Sequence, residues 1–138
     1  DVTGDELFGG RKVVLFAVPG AFTPTCHEQH LPGFVQHAEE LAAKGVDEIV
    51  CVAVNDPFVM RAWEEQSGVG DKIKLLSDGN ADFTRAIGMD VPLTGPFLGL
   101  RSQRYAMVVE NGVVKALMVE DNPGAVAVSG AEQILEKL

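Results

Sequence analysis

Two short runs of apolar, largely β-branched residues, residues 12–18 and residues 48–54, stand on either side of a segment with helical periodicity. Continuous apolar character in so short a run marks a buried strand, and strand, helix, strand in succession is the pattern of a right-handed βαβ unit with parallel strands. The chain is therefore read as α/β. Everything else in the sequence is placed relative to that unit.

Between the two runs, Phe34, Ala38, Leu41 and Ala42 repeat at helical spacing over residues 34–44, and Gly45 supplies the stop. Leu31-Pro32-Gly33 should kink or break the helix before it, because proline lacks an N–H and crowds the preceding turn. After the second run, Asn55 or Asp56 caps a helix that starts at Pro57, runs to about Gln66 and carries Phe58, Ala62 and Trp63 on one side. Residues 73–76 form a short third strand, and Asp78-Gly79-Asn80 turns into a brief helix bearing Phe83 and Ile87. Residues 88–100 show no periodicity and read as a long loop, punctuated by Pro92, Gly95, Pro96 and Gly99. Residues 104–110 and 113–119 are apolar runs joined by Asn111-Gly112, the signature of a type I′ hairpin. Ser129 and Glu132 then offer a capping box to a final helix. The order describes one domain over residues 1–138, a mixed central sheet flanked by helices.

Composition narrows the partners. Eleven basic against twenty acidic residues leave a net charge of −9 with no Lys/Arg cluster, so nucleic acid and anionic membrane are poor partners and a small neutral substrate fits. Two cysteines, no signal-peptide pattern and no apolar run of membrane-spanning length indicate a soluble protein kept reduced inside a cell, in cytoplasm, chloroplast or mitochondrion. Asp1 is no natural initiator, and the chain is expected to have lost an N-terminal strand region.

The chemistry concentrates where the first strand ends, in Pro19-Gly20-Ala21-Phe22-Thr23-Pro24-Thr25-Cys26. Thr23 can cap a helix with Pro24 as its first residue, or Thr25 and Glu28 can form a capping box. Either choice leaves Cys26 in or beside the first turn, where unpaired N–H groups and the helix dipole favour an anion, and the thiolate is the nucleophilic form. The competing reading, a small buried hydrophobe, describes most free cysteines.

Pro19, Thr23 and Cys26 reproduce the Pro-x-x-x-Thr-x-x-Cys motif of peroxiredoxins, and residues 18–34 resemble the type II, peroxiredoxin-5-like, subfamily in its plant or bacterial form. The likeness continues through Val54-Asn55-Asp56 and Arg101-Ser102-Gln103-Arg104-Tyr105 to the Ser129-Gly130-Ala131-Glu132 helix. The resemblance implies a thioredoxin-like fold with peroxiredoxin insertions and a thiol peroxidase that needs no cofactor. Cys26 would reduce hydrogen peroxide or an alkyl hydroperoxide, become a sulfenic acid, and be regenerated by glutaredoxin with glutathione or by thioredoxin. Thr23 would hydrogen-bond the peroxide, Pro19 would shield the sulfur, and Arg104 would stabilise the thiolate and the peroxide oxygens. Arg101 is a second pocket cation or, as the favoured reading, a surface charge.

Cys51 lies 25 residues after Cys26, the spacing of many plant-type members, and is either a resolving cysteine or a core residue. The cysteine that animal relatives carry near the C-terminus is absent from residues 125–129. The external thiol is favoured for resolution. Phe22 and Phe58 are assigned to a homodimer surface near the pocket. His27, His30 and His37 lack a partnering Cys or carboxylate pattern; they read as solvated helix histidines, with no metal expected. Two other functions compete. A thioredoxin-like disulfide reductase would want a cysteine at position 29, which is Gln. A non-catalytic interaction module would use Phe22, Phe58 and the 88–100 loop.

Overall fold

The computed structural model describes residues 2–138. Lys12–Val18 (β1) and Glu48–Ala53 (β2) pair in parallel, and Lys74–Ser77 (β3) extends the parallel ladder beyond β2. Tyr105–Glu110 (β6) lies antiparallel on the other side of β1, and Val113–Val119 (β7) closes the five-stranded sheet in the order β3-β2-β1-β6-β7. The β6–β7 turn is the expected one: Asn111 and Gly112 both take left-handed φ, 46° and 78°, as a type I′ turn requires.

Because side chains alternate across a strand, β1 supplies both halves of the core. Val14, Phe16 and Val18 pack with Leu31–Gln36 (α2), Ala38–Ala43 (α3), Pro57–Ser67 (α4) and Ala131–Leu135 (α6). Val13, Leu15 and Ala17 face the opposite layer, built from Gly4–Phe8 (α1) and residues around Asp82–Ala86 (α5). Phe16 stacks on Phe34 with ring centroids 4.1 Å apart, which pins α2 to the middle of β1. No helix among the described residues is long and apolar enough to cross a membrane.

Four local expectations change. Residues 88–100 are not a long loop: Asp90–Leu93 (β4) and Gly99–Ser102 (β5) form an antiparallel ribbon, with Pro92 opposite Leu100. A two-stranded ribbon has only edges, where proline is tolerated, so neither Pro92 nor Gly99 prevents pairing. The helix over residues 34–44 starts earlier and divides at His37 into α2 and α3. The third strand is displaced by one residue from 73–76. Neither capping box forms, since Thr25 caps nothing, Ser129 turns to Glu120, and Gly130 is the N-cap of α6.

Candidate active site

At the end of β1 the chain leaves the sheet through Pro19 and Gly20. The Ala21 N–H donates to the side-chain oxygen of Asn55 at 2.9 Å, which ties this turn to the residue group following β2. Phe22 then takes a left-handed φ of 64°, a conformation that costs an L-residue about 1–2 kcal/mol and persists where its surroundings impose it. The Thr23 hydroxyl donates to the Gly20 carbonyl at 2.7 Å, and its carbonyl accepts the His27 N–H at 2.8 Å. With its proton so engaged, the Thr23 oxygen keeps acceptor capacity for a hydroxyl of a bound molecule.

Helix begins at Pro24, and Cys26–His30 is a π-helical segment in which Leu31 N–H donates back to the Cys26 carbonyl. This widened turn takes the place of the expected break at Pro32. In a regular α-helix the Pro32 ring would press on the Glu28 carbonyl; a wider turn just before it lets the helix run on into α2. It also sets Cys26 and His30 in the interior together, at 0% and 1% exposure.

Arg104 immediately precedes β6, the antiparallel neighbour of β1. The β1–β6 register pairs Tyr105 with Ala17, so the preceding residue lies level with the end of β1, where the Pro19 turn starts. Arg104 is 2% exposed, and its guanidinium uses all three nitrogens: Nε donates to the Pro123 carbonyl at 2.8 Å, Nη1 to His30 Nδ1 at 2.9 Å and Nη2 to Cys26 Sγ at 2.9 Å. No carboxylate pairs with it among the described residues. A buried cation without a counter-charge is costly, and Cys26 Sγ is the one contacting atom able to carry that charge.

His30 holds the arrangement in register. Its Nε2 faces the Ser129 carbonyl at 2.8 Å and so carries the proton, leaving Nδ1 to accept from Arg104. Burial, reinforced by the Arg104 charge and opposed by the Ser129 hydrogen bond, lowers the His30 pKa to about 4. The ring is neutral at physiological pH, which is the state this geometry needs. The reading of His30 as a solvated histidine is thereby corrected. Its signal was present: Cys26, His30 and Phe34 recur every four residues on one apolar helix face. The other two histidines lie nearer the surface, His27 accepting from Trp63 Nε1 at 3.0 Å and His37 facing Glu40 at 3.0 Å.

A cleft opens above this cluster. Pro19, Thr23 and Arg104 form part of its lining, and Leu93, Pro96 and Leu98 of the β4–β5 ribbon stand with Pro123 as apolar walls. Arg101 is not a free surface charge: its Nε donates to Leu98 O at 2.9 Å and Nη1 to Val54 O at 3.1 Å, fastening the ribbon to the end of β2. Cys51 sits in mid-strand opposite Phe16, fully buried in the core cluster that also contains Cys26. Burial, with a lesser contribution from Cys26, pushes the Cys51 thiol well above its ordinary value. Phe22 and Phe58 are outside the cleft, 41% and 83% exposed.

Comparison with known proteins agrees with this geometry. The Redoxin family model matches residues 1–135. The chain is 57% identical to the chloroplastic peroxiredoxin-2E-2 of Oryza sativa subsp. japonica over 99% of its own length but only 62% of that protein's, so it spans less than two thirds of this relative. It is 49% identical to peroxiredoxin-2C of the same organism, covering 96% of this chain and 81% of that one. The crystal structure of reduced Prx3 from Vibrio vulnificus superposes with a TM-score of 0.90 at 57% identity, over 95% of this chain and 83% of that one. With a thioredoxin-like sheet that brings a helix-borne cysteine under a buried arginine, the chain belongs to the type II peroxiredoxins of the redoxin family.

Proposed function

We propose that this chain is a thiol peroxidase acting through Cys26. The observation that carries the reading is the 2.9 Å hydrogen bond from Arg104 Nη2 to Cys26 Sγ at the base of a cleft with apolar walls. The thiolate attacks the terminal oxygen of a hydroperoxide and the O–O bond breaks. The sulfur becomes a sulfenic acid, and the departing alkoxide or hydroxide takes a proton from solvent. Arg104 donates to the developing negative charge, Thr23 accepts the hydrogen bond of the peroxide O–H, and Pro19 covers the sulfur from water. Leu93, Pro96, Leu98 and Pro123 accommodate the carbon chain of an alkyl hydroperoxide, while hydrogen peroxide needs none of them.

Regeneration falls to an external thiol, glutaredoxin with glutathione or thioredoxin. A mid-strand Cys51 held protonated by burial is a poor internal nucleophile, and reaching Cys26 would require unwinding of the π segment. The active unit is a homodimer that covers Phe22 and Phe58. The deciding experiment is peroxide consumption with a thiol reductant, with Cys26→Ser as control. Turnover that survives in Cys26→Ser, or none in the intact protein, sinks the reading.

A further inference from the structure

We propose that Glu120 is a positioning residue for Cys26: its carboxylate shapes the segment whose carbonyls orient His30 and Arg104, and so sets the donor that Arg104 presents to the sulfur. The inference rests on the thiol-peroxidase reading and assigns a role to a residue outside its motif.

Glu120 follows β7 and is 6% exposed, unusual for a carboxylate with no cation against it among the described residues. Four donors converge on its Oε2: the N–H groups of Ala127, Val128 and Ser129 at 3.0, 2.8 and 2.7 Å, and the Ser129 hydroxyl at 2.7 Å. Its Oε1 also accepts from Ala127 N–H, at 3.1 Å. Burial by itself would raise this acid; the hydrogen bonds from Ser129, Val128 and Ala127 outweigh it and hold the carboxyl below the usual range. An ionised carboxylate therefore gathers the far end of the 121–129 segment into a fixed curve.

That curve touches the site at three carbonyls. Pro123 O accepts from Arg104 Nε at 2.8 Å, Gly124 O accepts from the Thr25 hydroxyl at 2.8 Å, and Ser129 O accepts from His30 Nε2 at 2.8 Å. Apart from a turn around Asn122, Glu120 is the fastening the segment has of its own. The same residue grips the other side of the site, since its backbone N–H donates to the Arg104 carbonyl at 2.9 Å. A continuous path thus runs from the carboxylate through Ser129 and His30 to Arg104 Nη1, on the guanidinium whose Nη2 meets Cys26. In Glu120→Gln the amide oxygen can take the place of Oε2 only as a neutral acceptor, so the charge-assisted bonds from Ala127, Val128 and Ser129 weaken, and an amide nitrogen at the Oε1 position faces the Ala127 N–H donor to donor; the hold on the Ser129 carbonyl is thereby loosened.

The test is a double-mutant cycle on the full chain with Glu120→Gln, His30→Ala and the double variant, and Glu132→Gln as an exposed acidic control. Two rates are read at a temperature well below unfolding: alkylation of Cys26 by iodoacetamide, quantified at that residue by mass spectrometry, and oxidation by tert-butyl hydroperoxide. Glu120→Gln is expected to slow both by about tenfold or more, as displaced catalytic groups do. The double variant should be no slower than His30→Ala alone, because the two act through one path. Unchanged rates in folded Glu120→Gln, or losses that multiply in the double variant, overturn the proposal. Should Glu120→Gln fail to fold, Ser129→Ala, which removes one donor, replaces it under the same criteria. If the wild type consumes no peroxide while the alkylation rates remain coupled, the peroxidase reading fails and the role of Glu120 stands.

Discussion

At the scale of single residues, the site depends on an arginine whose three nitrogens are each committed to a different acceptor. Arg104→Ala removes the only guanidinium that meets the sulfur among the described residues and is expected to lower the peroxidase rate about a hundredfold or more. Arg101→Ala unties the β4–β5 ribbon from Val54 and should cost far less; steady-state kinetics with hydrogen peroxide on both variants decides the matter. Equal, small losses would mean the pocket is misplaced. His30 makes a separate prediction about pH. The unfolded chain protonates this histidine near its ordinary 6.5, whereas the folded protein resists until about 4. The contribution is thus fully present above pH 6.5, is lost as pH falls from 6.5 to about 4, and is flat below. It amounts to on the order of 3 kcal/mol. Urea midpoints measured across that window should fall steeply for the wild type and less steeply for His30→Gln. Glu48, held low by Arg11 and Lys74 despite its partial burial, and Glu120 add their own losses further into the acid range.

At the scale of elements, the turn after β1 is rigid because a neighbouring strand holds it. Asn55 accepts the Ala21 N–H with its side chain, and its own carbonyl accepts the Ser77 hydroxyl, so β1, β2 and β3 are tied together just where Cys26 is presented. Asn55→Ala leaves a part-buried N–H unpaired and is expected to destabilise by about 1–3 kcal/mol, with a lower peroxidase rate at full folding. Chemical denaturation beside initial-rate kinetics checks both; a change in neither would show that the turn keeps its shape unaided. The five strands of the main sheet, the type I′ turn and helix α4 were legible in the sequence because each is specified by local pattern and propensity. The π segment, the β4–β5 ribbon and the missing capping boxes were not. Thr25 spends its hydroxyl on the Gly124 carbonyl, Ser129 turns to Glu120, and Pro92 pairs with Leu100 of β5, and neither helix propensity nor apolar periodicity encodes these partnerships.

At the scale of the molecule, Phe22, Phe58 and Phe97 remain 41%, 83% and 96% exposed while the cores on either side of the sheet are closed. Phe22 lies beside Trp63 of α4, with ring centroids 6.4 Å apart, and Phe58 begins the same helix. Phe22 itself lies in the turn that leads to Cys26. Sedimentation velocity should find a homodimer in the wild type and a shift toward monomer in Phe58→Asp. A monomer at every concentration would rule the dimer out.

By itself the sequence determined the α/β class, the parallel βαβ unit and the peroxiredoxin likeness, and it pointed to Pro19, Thr23, Cys26 and Arg104 as candidate site residues. All of these are written in short-range pattern or in a motif that can be read without coordinates. Tertiary structure alone decided that His30 is interior and neutral, that Arg101 is tied to main-chain carbonyls, and that Glu120 gathers the N–H groups of residues 127–129. Burial and hydrogen-bond partnership are properties of pairs of residues. His30 and Ser129, or Arg104 and Cys26, become neighbours only after the sheet has formed and the 121–129 segment has folded across its end.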